Sequence, residues 1–438
     1  MKISKSSKPS DKSMSMVEID TIDTPDHNGM DGGVREDNGQ MEIKLVSKLP
    51  ERYQIPSDKM IVPGSLTRID LSELVNDFLA FNERVPFDFL VNGEFLRGSI
   101  LTHCTDRGIL SEKTVELEYV IAMEEPKSTD LSSPQSDWIS GIALTGSLIF
   151  SCSMDGVMTK YDANTGKQLG SAVQGALPLT GVAASDNGIV ITTSRDGFLR
   201  VATIDTLEII ETGRLEQGIQ SVSLCPFDPT LALTGSIGGS VHLWNVPMSV
   251  PVSKSGKKRA SSKQIEPRAV LINTGSDVTS ICWLSLSRAM VGCLDGTIHV
   301  LDPLTGQALP TVSTNRPVTA MCLLEGSRLV TGHPDGRIIF WNLHVESSVS
   351  LEALNSCRSH SRMISALASR PGDQFLVASA SVDGCVKLFD SRASHFAVQS
   401  ISLPKGERAL AVAWSSENLL FSAGSDGVIR THTLSGHQ

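Results

Sequence analysis

Seven times between residues 153 and 433 the chain repeats one short pattern: a turn of small or acidic residues closed by glycine, then a short strand. The copies read SMDGVMTKYD (153–162), SRDGFLRVAT (194–203), SIGGSVHLWN (236–245), CLDGTIHVLD (293–302), HPDGRIIFWN (333–342), SVDGCVKLFD (381–390) and GSDGVIRTHT (424–433). The turn glycines at 156, 197, 239, 296, 336, 384 and 427 are spaced by about 40 to 57 residues. That is the span of a four-stranded blade plus variable loops. Each copy follows an apolar strand, such as Leu231-Ala232-Leu233, and an earlier one, such as Val318 to Cys322, precedes that. Asp-Gly suits the hairpin because its centre needs positive φ. The count predicts a mainly β protein whose residues 125–438 form a seven-bladed propeller. The last copy leaves its blade one strand short, so residues 127–135 are expected to close the ring by pairing with 428–433.

Within this frame most polar residues have structural duties. Asp155, Asp196 and Asp295 are expected to form turns, and His242, His299 and His432 to occupy equivalent blade positions rather than to ligate. The eight cysteines are scattered singly, without ligand spacing, in strand-like runs such as Ile281-Cys282-Trp283. They read as reduced, buried, small apolar residues. A formal charge of −10 argues against a wide electrostatic grip on nucleic acid. The N-terminus has no apolar run of signal-peptide type, and no window approaches the roughly 18 apolar residues of a membrane span. A soluble, intracellular protein with no membrane partner is expected.

Before the repeats the pattern differs. Residues 1–40, rich in Ser, Asp, Gly and Lys, cannot bury enough apolar surface to fold and read as a disordered tail. Residues 41–124 read as a small α+β domain. Met41, Ile43 and Leu45 alternate as a first strand, and residues 59–62 form a second. A helix follows with Asp70 as its cap, Glu73 at capping-box spacing, and Leu71, Leu74, Val75, Phe78 and Leu79 on one apolar face. It is expected to stop near Asn82. After Glu83 and Arg84, residues 85–91 alternate with Phe87, Phe89 and Val91 on one side, and Asn92-Gly93 supplies a hairpin turn of the primed type. Residues 114–120 make the last strand. This order resembles a β-grasp, ubiquitin-like domain.

Gly239 and Gly296 are 57 residues apart, and the excess, residues 247–267, reads as a polar insertion carrying Lys254, Lys257, Lys258, Arg259 and Lys263. Clustered cations of this kind serve nuclear import or RNA contact; a solvated loop is the plain alternative. There is no phosphate loop, dinucleotide fingerprint, nucleophile elbow or H-E-x-x-H helix, so no enzyme is expected. Glu83 stands out because nothing in the pattern requires it. A carboxylate held on a rigid scaffold can complete the oxygen shell of a hard cation such as magnesium held by another protein.

The repeats resemble the WD-repeat family, although the signature dipeptide is degenerate: Tyr161-Asp162, Trp244-Asn245, Leu301-Asp302, Trp341-Asn342 and Phe389-Asp390. The segments LSELVN (71–76), VPFDFLVNG (85–93) with Leu96-Arg97, and ELEYV (116–120), followed by seven blades, resemble ribosome-biogenesis proteins that join a Notchless-like, ubiquitin-like domain to a WD-repeat propeller. Within them the chain is most similar to the WD-repeat protein 12 (Ytm1-type) subfamily. The resemblance implies a nucleolar and nucleoplasmic factor for the large (60S) subunit and rRNA processing, acting with Pescadillo and the block-of-proliferation protein on the pre-60S particle. It further implies that the N-terminal domain docks into the metal site of the AAA ATPase midasin. Glu83 then donates its carboxylate to the partner's metal, with Asn82 and Arg84 beside it at the contact, so that ATP-driven movement releases the complex. The protein needs no cofactor of its own on this reading. A Notchless-type factor, which resembles an eight-bladed propeller, and a substrate receptor of a ubiquitin ligase are the alternatives.

Overall fold

The computed structural model describes residues 39–81, 83–109, 114–247, 262–325, 328–345, 349–393, 396–415 and 418–434. Most of the N-terminal tail, Asn82, and Lys254, Lys257, Lys258 and Arg259 of the insertion lie outside the described residues.

The N-terminal domain contains β1 (Gln40–Val46), β2 (Lys59–Pro63), α1 (Arg68–Leu79), β3 (Phe87–Val91), β4 (Glu94–Phe95), α2 (Ile100–Asp106) and β5 (Val115–Ile121). Its sheet order is β2-β1-β5-β3-β4, with β1 and β5 parallel and the other pairs antiparallel. Parallel neighbours require a crossover, and here it includes both helices. Phe87, Phe89 and Val91 share the core with Met41, Ile43, Leu45, Val115, Leu117 and Tyr119, under Leu71 and Val75 of α1 and Ile100 and Cys104 of α2. The primed hairpin is present: Asn92 and Gly93 have φ of 50° and 83°.

Helix α1 departs from expectation at both ends. Its cap is Thr67, and Asp70 sits at the third helical position, accepting hydrogen bonds from the Thr67 N–H and hydroxyl, each 2.8 Å long. The capping box is therefore Thr67 with Asp70, three residues earlier than the expected Asp70 with Glu73. The helix ends at Ala80, in the left-handed conformation with φ 48°, rather than near Asn82. Phe78, expected in the core, is 52% exposed.

The propeller comprises seven sheets. Blades 1 to 6 span 139–173, 179–214, 219–273, 278–313, 320–358 and 364–402. Blade 7 takes three strands from 409–433 and its outermost strand, β6 (Lys127–Asp130), from upstream of blade 1. The expected closure is present: Lys127, Ser128, Thr129 and Asp130 pair antiparallel with Thr433, His432, Thr431 and Arg430. Gln135 continues the attachment by donating its N–H to the Gly427 carbonyl. Lys263, expected in a structureless insertion, lies in the short strand Lys263–Ile265, which adds parallel to the outer edge of blade 2 with Lys263 paired to Glu211.

Around the axis the first strand of every blade touches that of the next, and the seventh touches the first. Six of these junctions carry one repeated bond. The hydroxyls of Ser140, Thr180, Ser221, Thr279, Thr319 and Ser365 donate to the carbonyls of Leu179, Ile219, Val278, Val318, Ile364 and Ala409 in the following blade, at 2.6–3.2 Å. At the junction of blade 7 with blade 1 the corresponding residue is Leu410, which has no hydroxyl.

The turn aspartates behave as expected. Asp155, Asp196, Asp295, Asp335, Asp383 and Asp426 each accept the backbone N–H two residues on. Counting from the turn glycines corrects the histidine register. His242 and His299 lie three residues past their glycines, but His432 lies five past Gly427, in line with Tyr161, Trp244, Trp341 and Phe389. It acts like a tryptophan there. Trp244 and Trp341 donate to Thr234 and Thr331 ten residues earlier, at 2.8 and 2.9 Å, and His432 Nε2 meets the Ser422 hydroxyl at 2.7 Å. In blade 2 the equivalent residue is Ala202, and the buried Thr192 hydroxyl is left without a partner among the described residues.

Burial, reinforced by Arg430, pushes the His432 pKa down from 6.5 to about 4. The unfolded chain binds the proton more readily, so stability is complete above pH 6.5 and is lost as pH falls toward 4. The contribution is on the order of 3 kcal/mol. Melting curves across that window are expected to show a shallower acid loss for His432→Gln than for the unmodified protein.

Candidate functional site

The site is built from the end of α1 and the connection to β3. Left-handed Ala80 stops the helix, with its N–H on the Asn76 carbonyl. Phe81 then packs edge-on against Tyr53, ring centroids 5.7 Å apart. On the far side the Asn76 side chain, largely buried, grips the returning strand: Oδ1 accepts the Val85 N–H at 2.8 Å and Nδ2 donates to the Val85 carbonyl at 2.7 Å. The Ser72 hydroxyl accepts the Phe87 N–H, and Arg68 pairs with Asp88. Both ends of the connection are thus tied to the helix. Glu83 lies between them, exposed, with no hydrogen bond or ion pair to any described residue. Arg84 is paired at 3.3 Å with Glu73.

This arrangement presents one exposed carboxylate between two anchored ends of the connection. A single carboxylate can supply one oxygen to a hard cation but cannot hold it alone. Among the described residues no group of three or more His, Cys, Asp or Glu side chains is arranged to bind a metal ion. The residues fit donation to a metal held elsewhere. Asn76 is the site residue that pattern reading overlooks: it sits on a helix as an ordinary polar residue, and only the fold brings Val85 to it. Asn76→Ala removes the partner of both Val85 backbone groups, which are half-buried, at an expected cost of about 1 kcal/mol. Hydrogen exchange at the Val85 amide is expected to accelerate in this variant, with protection in β5 retained.

The opposite face of the sheet meets the propeller. Leu90, Phe95 and Val120 pack with Ala393, Phe396 and Val398 of blade 6, and Arg97 stacks on Phe396 at 4.1 Å. Beside this patch a cleft of about 710 Å³ is lined by residues including Lys48, Glu118, Arg328, Arg370 and Arg392. The contact uses the face away from α1.

Residues 41–104 match the NLE (NUC135) domain family, and residues 351–390 match the WD domain, G-beta repeat. Along most of its length the chain is similar to proteins named "Ribosome biogenesis protein WDR12 homolog". That of Drosophila yakuba is 25% identical over 91% of this chain and 96% of its own, and that of Drosophila pseudoobscura pseudoobscura 24% over 90% and 95%. The Chlamydomonas reinhardtii protein is 24% identical over 81% of this chain and 87% of its own. Among solved structures the computationally designed Ika8 protein aligns with 69% of this chain and 98% of its own, at 21% identity and a TM-score of 0.50, a likeness of fold. An NLE domain, WD repeats and similarity along about nine-tenths of the chain together give this protein the make-up of the WDR12 (Ytm1-type) proteins.

Proposed function

We propose that this protein is a non-catalytic assembly factor for the large ribosomal subunit and rRNA processing, working in the nucleolus and nucleoplasm. In this reading the propeller is held by the block-of-proliferation protein and Pescadillo on the pre-60S particle. The N-terminal domain offers Glu83 to a divalent metal, magnesium by its preference for oxygen ligands, held by a midasin-type AAA ATPase. The observation that carries the reading is similarity to ribosome biogenesis proteins that spans both domains, rather than the repeats alone. Seven blades favour it over the eight-bladed Notchless type.

The pinned loop gives the reading its physical content. A ligand that must reach a metal in a partner loses less conformational freedom on binding if its backbone is already fixed. Glu83 sits between two such anchors, the Ala80 N–H on the Asn76 carbonyl and the Asn76 side chain on Val85. Affinity purification of the full chain from nuclear extract, with and without a chelator, tests the proposal. Pre-60S factors and a chelator-sensitive AAA ATPase are expected. Recovery of a cullin module in their place would favour a ubiquitin-ligase substrate receptor and overturn the reading.

A further inference from the structure

The strand that closes the ring is also the strand that tethers the N-terminal domain. Only residues 122–126 separate β5 from β6. They are anchored: Met123 is buried in the apolar cluster of blades 6 and 7, and its carbonyl accepts from Gln399 Nε2 at 2.9 Å. Once a pull has parted the N-terminal domain from blade 6 and freed Met123, the chain carries it into the propeller through β6.

The two ends of that connection are unequally fastened. β5 has seven residues and is bonded along both edges, to β1 and to β3. β6 has four residues, all exposed, and is bonded along one edge. Its side-chain attachments are the 2.7 Å contact of Ser128 with His432 and the 2.9 Å pair of Asp130 with Arg430. Tension entering at Lys127 loads the Lys127–Thr433 end of the ladder first, so its bonds yield one after another.

What β6 and the residues after it hold together is the one junction without an axial hydroxyl bond. Leu131 packs among Ile139, Tyr161, Phe421 and Ile429, at the seam of blade 7 with blade 1. Gln135 spans the same seam, with its N–H on the Gly427 carbonyl and its side chain on Ser151 and Tyr161. Arg408 stacking on Trp138 at 4.9 Å is a further link.

We propose that β6 is a force-sensitive strap: a pull on the N-terminal domain strips it from blade 7 and opens the ring between blades 7 and 1. The source of the pull rests on the reading of Glu83 given above; the strap does not. In that setting, opening the ring deforms the surface by which the propeller is held, and so turns a pull into release.

Single-molecule pulling on the full chain, with handles at exposed Ser57 and Ser313, tests the strap without any partner. Residues 127–135 span about 30 Å when extended, so a step of about that length is expected before the N-terminal domain unfolds. Thr129 and Thr431 are directly paired, and paired antiparallel residues lie within disulfide reach. The double variant Thr129→Cys/Thr431→Cys is expected to lose the short step when oxidised and regain it on reduction. The variant Ser128→Ala/Asp130→Ala is expected to show the step at lower force. If the N-terminal domain unfolds first with no preceding short step, or the oxidised variant keeps the step, the strap is refuted. Failure of the Glu83 reading shows separately, as metal-dependent binding that survives loss of the carboxylate.

Discussion

Glu83→Ala is expected to abolish chelator-sensitive binding of the full chain to the ATPase's metal-bearing domain. Changing groups that only orient a metal's ligands typically costs 10–100-fold in affinity. Removing a ligand is expected to exceed that range, with a loss of at least about 100-fold, or roughly 2.7 kcal/mol. Glu83→Gln keeps the length without the charge and is expected to lose nearly as much. Glu83→Asp keeps the charge but withdraws it by one methylene, and a pinned backbone cannot advance to compensate. Melting of all three should match the unmodified chain, because an exposed side chain without described partners contributes little to folding. Titration calorimetry with and without magnesium makes the measurement, and unchanged affinity of Glu83→Ala would end the metal-handle reading.

The largest stability effect is expected at Trp244. It is fully buried where blade 3 meets blade 2, among Ile189, Ile191, Leu199 and Val201, and its indole N–H bonds Thr234. Gly213 leaves room for the ring: a Cβ there would overlap it. Trp244→Ala removes the packing, at about 3–5 kcal/mol. It also leaves the buried Thr234 hydroxyl without its donor, at about 1–3 kcal/mol more. A fall in melting temperature on the order of 10 °C follows for a domain of this size. Trp244→Phe retains most of the apolar ring, so calorimetry is expected to give only the smaller second cost.

The repeat was legible because its chemistry is local: an aspartate capping the N–H two residues on and a glycine at positive φ reveal themselves in a few residues. Six such turns, and a seventh with Gly238 in the aspartate's place, mark the blade count and the need for a closing strand. Positions that depend on register were harder. The place of His432 becomes visible only by counting from Gly427, because a histidine there lacks the bulk that marks Trp244 and Trp341. At α1 the pattern points to Asp70 as the cap because Thr67 is followed by Arg68 and Ile69, and the apolar periodicity starts later. Helix α2 leaves little apolar pattern, because Ile100 and Cys104 are its only buried apolar residues. The axial hydroxyl bonds did leave a signal, an aliphatic residue followed by Ser or Thr at 139–140, 179–180, 278–279, 318–319 and 364–365. At Glu83 the sequence supplied the acid, and only the fold supplied Asn76.

The closing strand also sets the timetable of biosynthesis. Ser128 meets His432 across 304 positions of sequence, so β6 leaves the ribosome long before its partner exists. At roughly 5–20 residues per second the wait is about 15–60 s. During that time an unpaired edge is open to wrong pairing, and the composition Lys-Ser-Thr-Asp, polar and charged, is of the kind that discourages it. Truncated chains stalled before residue 429 are therefore expected to carry a folded N-terminal domain beside an open arc of blades.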